Sequence, residues 1–421
     1  MKPKTKSDSV IANVSHSLLV GLLLGVTSLL VLPAAAIADQ QPPLLSNVSS
    51  PTVAANLFVV AQHDNLVSIF NPTNGVRLGQ PAVGNHPLRI AMNPGGTRAY
   101  VSNNGGSTIS EINTQDGTVV LPAISVTSAP QELTVDPNGA YLYVVHQAGP
   151  EGCPQTLTNT SVVEKIDTAL RTVVGTPTTI DGMLAKDVLV TPDSMYVYVA
   201  NYNAGVVDII QTSNMMEVAK IMDAPGARRL AITPPGTLSP PLVFVTDFCA
   251  NPTGTVTVID TGTRMRAHDD IGVGTNPRGI AITPDGTKTY VTNVGSNNVT
   301  VINNTTFAVL KTIPVGPTPW HVTITPDGNW AYVSNSGSNT VSIIQIAADG
   351  GQWVKDLTVG DGPFFSVVNP ANNKLYVSNS HTGNPPDPGT VSVINLATQK
   401  VVATITGVGN GPFDLALSGP Q

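Results

Sequence analysis

From residue 57 onward the chain consists of short runs in which apolar residues alternate with small or polar ones. The period of two is that of a β-strand with two differently employed faces, and turn residues punctuate it. The stretch PRGIAITPDGTKTYVTN (Pro277 to Asn293) shows the pattern. GIAIT predicts one strand, PDG a reversal, and TYVTN a second strand. Pro presets its own φ and Gly accepts the positive φ that closes the turn. Downstream, VTVIN predicts a third strand and AVLKTIPVG a fourth.

The phrase recurs. Copies begin at Pro87, Pro130, Ala185, Ala227, Pro277, Pro319 and Pro363, and a truncated copy begins at Pro412, with spacings of 42 to 55 residues. Four antiparallel strands per repeat predict an all-β fold, a single β-propeller spanning residues 57–419. Leu57 to Gly84 supplies three strands without the first of the template, and PFDLALSG (Pro412 to Gly419) supplies that first strand alone. A blade shared by the two ends would close the ring and remove its open edges. Seven complete units and one shared unit favour eight blades; seven is the alternative count.

The runs TYVTNVGSNNVTVIN, AYVSNSGSNTVSII, LYVSNS and YVANYNAGVVDII resemble the YVTN family of β-propeller repeats. That family occurs in exported bacterial and archaeal proteins, in surface-layer proteins, and among relatives of lactonase-like and amine-dehydrogenase heavy-chain propellers. The resemblance implies the fold. For function it implies only a menu: binding module, enzyme, or electron-transfer partner.

Composition agrees with many short strands: 11% of residues are charged and 5% aromatic, with 38 Gly and 35 Pro. Residues 1–38 read as an export signal peptide. Lys2, Lys4 and Lys6 precede a Leu-rich run, Leu18 to Leu32, and Ala36-Ile37-Ala38 offers a cleavage site. The run is short for a membrane span, so a membrane association is expected only if this segment is retained as an anchor. Residues 39–55 read as a flexible Pro/Ser-rich segment. Export implies a periplasmic or extracellular location. Without residues 1–38 the chain has 17 basic and 26 acidic residues, a net charge of −9, and no basic cluster, which excludes nucleic acid as an expected partner.

In a propeller, the loops entering the first strands surround the mouth of the central channel. The first position after each repeat start reads Leu88, Gln131, Lys186, Arg228, Arg278, Trp320, Phe364 and Phe413. The second reads Arg89, Glu132, Asp187, Arg229, Gly279, His321, Phe365 and Asp414. Eight of these sixteen are charged in a chain poor in charge, so they are expected to ring the mouth. The reading favoured here is a monomeric recognition or scaffold module that binds a partner protein or small ligand at that face. Arg89, Arg229 and Arg278 would fix an anionic or carbonyl group, and Trp320, Phe364 and Phe365 would wall it. The first alternative is a lactonase-like hydrolase, with His321 or His146 as acid or base, Glu132 or Asp187 tuning it, and an arginine stabilising the oxyanion. The second is a metal-binding or redox-partner propeller. No cofactor is expected. His63, His86, His146, His321 and His381 are weak metal candidates, for copper or zinc, because no HxH, HxxxH or HExxH spacing joins them. Cys153 and Cys249 are the only cysteines and are expected to form a disulfide.

Overall fold

The computed structural model describes residues 55–146, 160–182, 184–250, 252–380 and 388–419. Among the described residues eight antiparallel sheets form a closed ring: six have four strands and two have five, and in all but the one that joins the two ends the strands follow sequence order. We number the blades by their first strands: Pro87–Met92 (blade 1), Pro130–Val135 (2), Ala185–Val190 (3), Ala227–Ile232 (4), Pro277–Ile282 (5), Pro319–Ile324 (6), Pro363–Val368 (7) and Pro412–Leu417 (8). Each first strand touches the first strand of the next blade, round to blade 8 against blade 1. The eight-blade expectation therefore holds over the seven-blade alternative. In blades 2 and 4 the outermost strand is split into two short pieces.

Blade 8 joins the two ends of the propeller. Leu57–Ala61 pairs antiparallel with Pro412–Leu417, with Leu57 opposite Leu417 and Val59 opposite Leu415. Asn56 and Ser418 extend the seam: the Asn56 N–H donates to Ser418 Oγ at 2.8 Å and the Ser418 N–H to the Asn56 carbonyl at 2.9 Å. Between blades the core is apolar. The tyrosine of the repeat (Tyr143, Tyr198, Tyr290, Tyr332 and Tyr376) is fully buried, with Phe58 and Phe244 at the same place in blades 8 and 4.

One feature of the repeat positions the channel residues. In every blade the first strand changes register just after its opening residue, as between Pro87 and Arg89 or Pro319 and His321. Such a bulge re-aims side chains. In blades 1, 4, 5 and 7 the N–H after the bulge donates to a Ser or Thr hydroxyl of the second strand. The pairs are Arg89 to Ser102 (3.1 Å), Arg229 to Thr246 (3.1 Å), Gly279 to Thr292 (2.8 Å) and Phe365 to Ser378 (3.2 Å). The hydroxyls of Thr246 and Ser378 in turn donate to the next blade, to the carbonyls of Arg278 and Phe413.

The asparagine of the repeat pins the loop beyond it. Asn103 Nδ2 donates to Thr108 Oγ1 (2.9 Å) and Ser110 Oγ (3.0 Å), and Asn293, Asn335 and Asn379 repeat the motif. Blade 4 has Asp247 here, fully buried, and the donors reverse: Thr255 and Thr257 each donate to Asp247 Oδ2 at 3.0 Å. Burial, reinforced by nearby Asp270 and opposed by the threonine hydrogen bonds, pushes its carboxyl from 3.8 up to about 8. The folded state therefore holds a proton that the unfolded chain releases above about pH 4. This group favours folding most below that pH, and the benefit fades as pH climbs towards 8. Asp247→Asn is expected to raise the melting temperature at pH 8 relative to the parent and to flatten its decline between pH 5 and 8. Parallel pH-dependent melts of the two proteins check this; identical slopes would refute it.

Candidate functional site

The bulges deliver side chains from different blades into the channel, where they form a buried ionic cluster. Glu132 (blade 2) is shared by two guanidinium groups through a single oxygen: Arg89 Nε lies 2.9 Å and Arg229 Nη1 2.7 Å from Oε2. Asp187 (blade 3) lies 3.6 Å from Arg229 Nη1, and Asp414 (blade 8) 3.9 Å from Arg89 Nη1. Two cations thus face three carboxylates. Backbone N–H groups hold the outer two: Leu230 and Val188 donate to Asp187, and Ile90 and Leu415 to Asp414. Burial pushes Asp187 up to about 6, with Arg229 opposing and Glu132 adding to the shift; Asp414 is raised for the same first reason.

Blades 5 to 7 supply the remaining three of this layer's eight positions without charge, with Gly279, His321 and Phe365. The Arg89 guanidinium stacks 4.4 Å from the Phe365 ring centroid and 5.0 Å from that of Phe413. His321 packs 5.0 Å from Phe365, and its Nδ1 lies 3.3 Å from Thr323 Oγ1. Burial, then the charges of Arg229 and Arg89, depress the imidazole to about 3, so it is neutral at physiological pH. A base so weak is a poor proton acceptor, whereas Asp187 titrates close to neutrality. Asp187, Arg229, Gly279, His321 and Phe365 together line a cavity of about 180 Å³.

Above it, sharing Arg229, Arg278 and Trp320, lies a mouth cavity of about 420 Å³. Lys186, Arg228 and Arg278 line it from blades 3, 4 and 5, and Leu88, Trp320 and Phe413 from blades 1, 6 and 8. None of the three cations is without a partner. Arg228 stacks on Phe248 (4.7 Å) and Tyr202 (5.5 Å), and Arg278 lies 3.0 Å from the Trp320 centroid. Phe364 does not line the cavity; it wedges behind, 4.7 Å from Trp320 and 5.7 Å from Phe413.

The structure thus brings together Arg89, Glu132, Asp187, Arg229, Arg278, Trp320, His321 and Phe365. His146 sits elsewhere. It occupies the repeat's asparagine position, buried, with Nε2 2.9 Å from Glu164 Oε2 and Nδ1 3.0 Å from the Ser128 carbonyl. Comparing YVVH with YVTN is the signal that assigns this place. His63 and His86 face each other at the rim, ring centroids 6.3 Å apart. Among the described residues no three His, Cys, Asp or Glu side chains are grouped to hold a metal ion. Cys153 and His381 lie outside the described residues, so the expected Cys153–Cys249 disulfide does too. Sequence reasoning placed Lys186, Arg228 and Phe413 on the mouth ring but assigned them no binding role. The aromatic shelf under Arg228 was readable: Tyr202 and Phe248 directly follow their second strands, where other blades have Asn104, Val294, Ser336 and Ser380.

The profile of the family described as "Lactonase, 7-bladed beta-propeller" matches residues 99–227 and 261–385, more than half of the chain. The chain belongs to this family. It departs from the family's description in closing its lactonase-type ring with eight blades. No curated protein matches it in sequence. Among solved structures, it is similar to the dihydro-heme d1 dehydrogenase NirN in complex with DHE, with TM-score 0.66 and 15% identity over 86% of this chain and 75% of that one. It is also similar to a putative 6-phosphogluconolactonase from Bacteroides uniformis ATCC 8492, with TM-score 0.55 and 16% identity over 86% and 99%. A functionally unknown protein from Desulfotomaculum acetoxidans DSM 771 gives TM-score 0.57 and 17% identity over 87% and 99%. At these identities the likeness is one of fold.

The shared carboxylate makes a further prediction. Glu132→Gln keeps the size of the side chain but removes the charge that two buried guanidinium groups share, and should cost about 3 kcal/mol of stability. Urea denaturation measures it. A change within error of zero would mean that Asp187 and Asp414 alone balance the two arginines.

Proposed function

We propose that this member of the lactonase propeller family is an exported recognition protein of the YVTN-repeat type, monomeric, whose mouth cavity binds a small anionic ligand. The observation that carries this reading is the convergence of Lys186, Arg228 and Arg278 on one cavity of about 420 Å³ in a protein of net negative charge. Arg228 and Arg278 lie against aromatic faces, which limits the rotamer freedom they lose on binding. Planar guanidinium groups pair with carboxylate, sulfonate or phosphate in two-pronged fashion. Thermal-shift measurements with a panel of such anions test it. A bound anion raises the melting temperature by mass action, and the double substitution Arg228→Gln with Arg278→Gln should abolish the rise. No shift with any anion, or equal shifts in parent and double variant, would count against it.

Lactone hydrolysis is the second reading. The cavity of about 180 Å³ and the family match favour it, with roles redistributed from those expected of the sequence. Asp187, raised to about 6, would take a proton from the attacking water. Neutral His321 would hydrogen-bond the carbonyl oxygen, and Arg229 would stabilise the oxyanion. The ring C–O bond then breaks and the leaving alkoxide takes up the proton. Turnover of δ-valerolactone should rise with pH through about 6 as Asp187 ionises, and Asp187→Asn should remove that limb. Turnover that His321→Ala and Asp187→Asn leave untouched would eliminate this reading.

A further inference from the structure

The mouth residues are sorted by chemistry around the ring, and the sorting says more than their net charge. Blades 3, 4 and 5, consecutive in the ring, contribute Lys186, Arg228 and Arg278. Blades 6, 7, 8 and 1, also consecutive, contribute Trp320, Phe364, Phe413 and Leu88 at the same repeat position. At this repeat position the ring is therefore cationic on one arc and apolar on the opposite one, with Gln131 of blade 2 at one junction; Gln62, His86, Arg89 and Asn104 add polar groups to the cavity beside Leu88 and Phe413. At the other junction Arg278 stacks on Trp320, so charge and aromatic surface meet without a gap.

An inorganic anion would satisfy the cationic arc and leave the apolar arc facing water. A neutral apolar molecule would cover the second arc and strip water from the first, without recompense for the desolvated cations. We infer that the ligand is an amphiphilic aromatic anion: a planar ring system resting on Trp320 and Phe413, with a carboxylate or sulfonate directed at Arg228, Arg278 and Lys186. The aromatic wall is braced for this. Trp320 and Phe413 both contact Phe364, the Trp320 contact being edge-to-face, so the wall is a packed unit rather than separate rings. The cavity volume is in the range of sites that enclose an organic molecule. Lys186 and Arg228 are buried residues that line the cavity, so their charges act within low-dielectric walls where an ionic contact is strong.

This inference rests on the anion-binding reading above, and the same titration separates the two. The full chain is titrated calorimetrically with 2-naphthoate, its uncharged isostere 2-naphthamide, acetate and inorganic phosphate. The expected result is 1:1 binding of 2-naphthoate, at least about ten-fold tighter than each of the others. Arg278→Gln should bring 2-naphthoate down to the affinity of the amide, and Trp320→Leu should bring it down to that of acetate, with circular-dichroism melts confirming that each variant folds. Because the ligand series on the parent protein decides the matter, a variant that fails to fold does not rescue the idea. Phosphate or acetate binding as tightly as 2-naphthoate would overturn the aromatic inference and leave an anion site standing. Equal binding of 2-naphthoate and 2-naphthamide, or no binding of any anion, would overturn both.

Discussion

In blades 1, 4, 5 and 7 a Ser or Thr hydroxyl near the end of the second strand accepts the N–H of a displaced first-strand residue, and in two of them it donates its own O–H to a carbonyl of the neighbouring blade. This small bond bears on the whole channel. The displacement turns two successive side chains of the first strand towards the axis, where a regular strand would offer every second one. Eight displaced first strands bring sixteen positions to the channel, fifteen of them with a side chain because Gly279 has none, arranged as an upper layer at the mouth and a lower layer around the ionic cluster.

The two layers solve different electrostatic problems. In the lower layer, Arg89, Arg229, Glu132, Asp187 and Asp414 satisfy one another. A charged histidine is disfavoured there first by burial and then by the two arginines. In the upper layer Lys186, Arg228 and Arg278 line the mouth cavity, with Arg228 and Arg278 against aromatic rings.

Much of this was legible in the sequence because the repeat is. Eight copies of one phrase give the blades, and the incomplete units at Leu57 and Pro412 give the seam. The ring positions of Arg89, Glu132, Asp187, Arg229 and His321 followed from counting two residues past each opening. What the chain did not disclose is partnership. Glu132 and Arg229 are 97 residues apart, and nothing local marks them as neighbours across a bore. Histidine chemistry alone made His146 look like a candidate, whereas its repeat position makes it a stand-in for asparagine. The roles of Asp187 and His321 depend on burial, which the repeat locates but does not quantify.

The seam in blade 8 bears on how a ring with eight members arises in a family described by seven. Because the pairing of Leu57–Ala61 with Pro412–Leu417 and the bonds that extend it join the two ends within one blade, the units between are modular: one can be duplicated or lost without touching the clasp. An added blade widens the bore by one strand, and a wider bore must be filled or it floods. Long side chains are the remedy. Arg89 reaching over Phe365 and Phe413, and Arg229 reaching across to Glu132, are the stuffing of an enlarged hole as much as the furniture of a site.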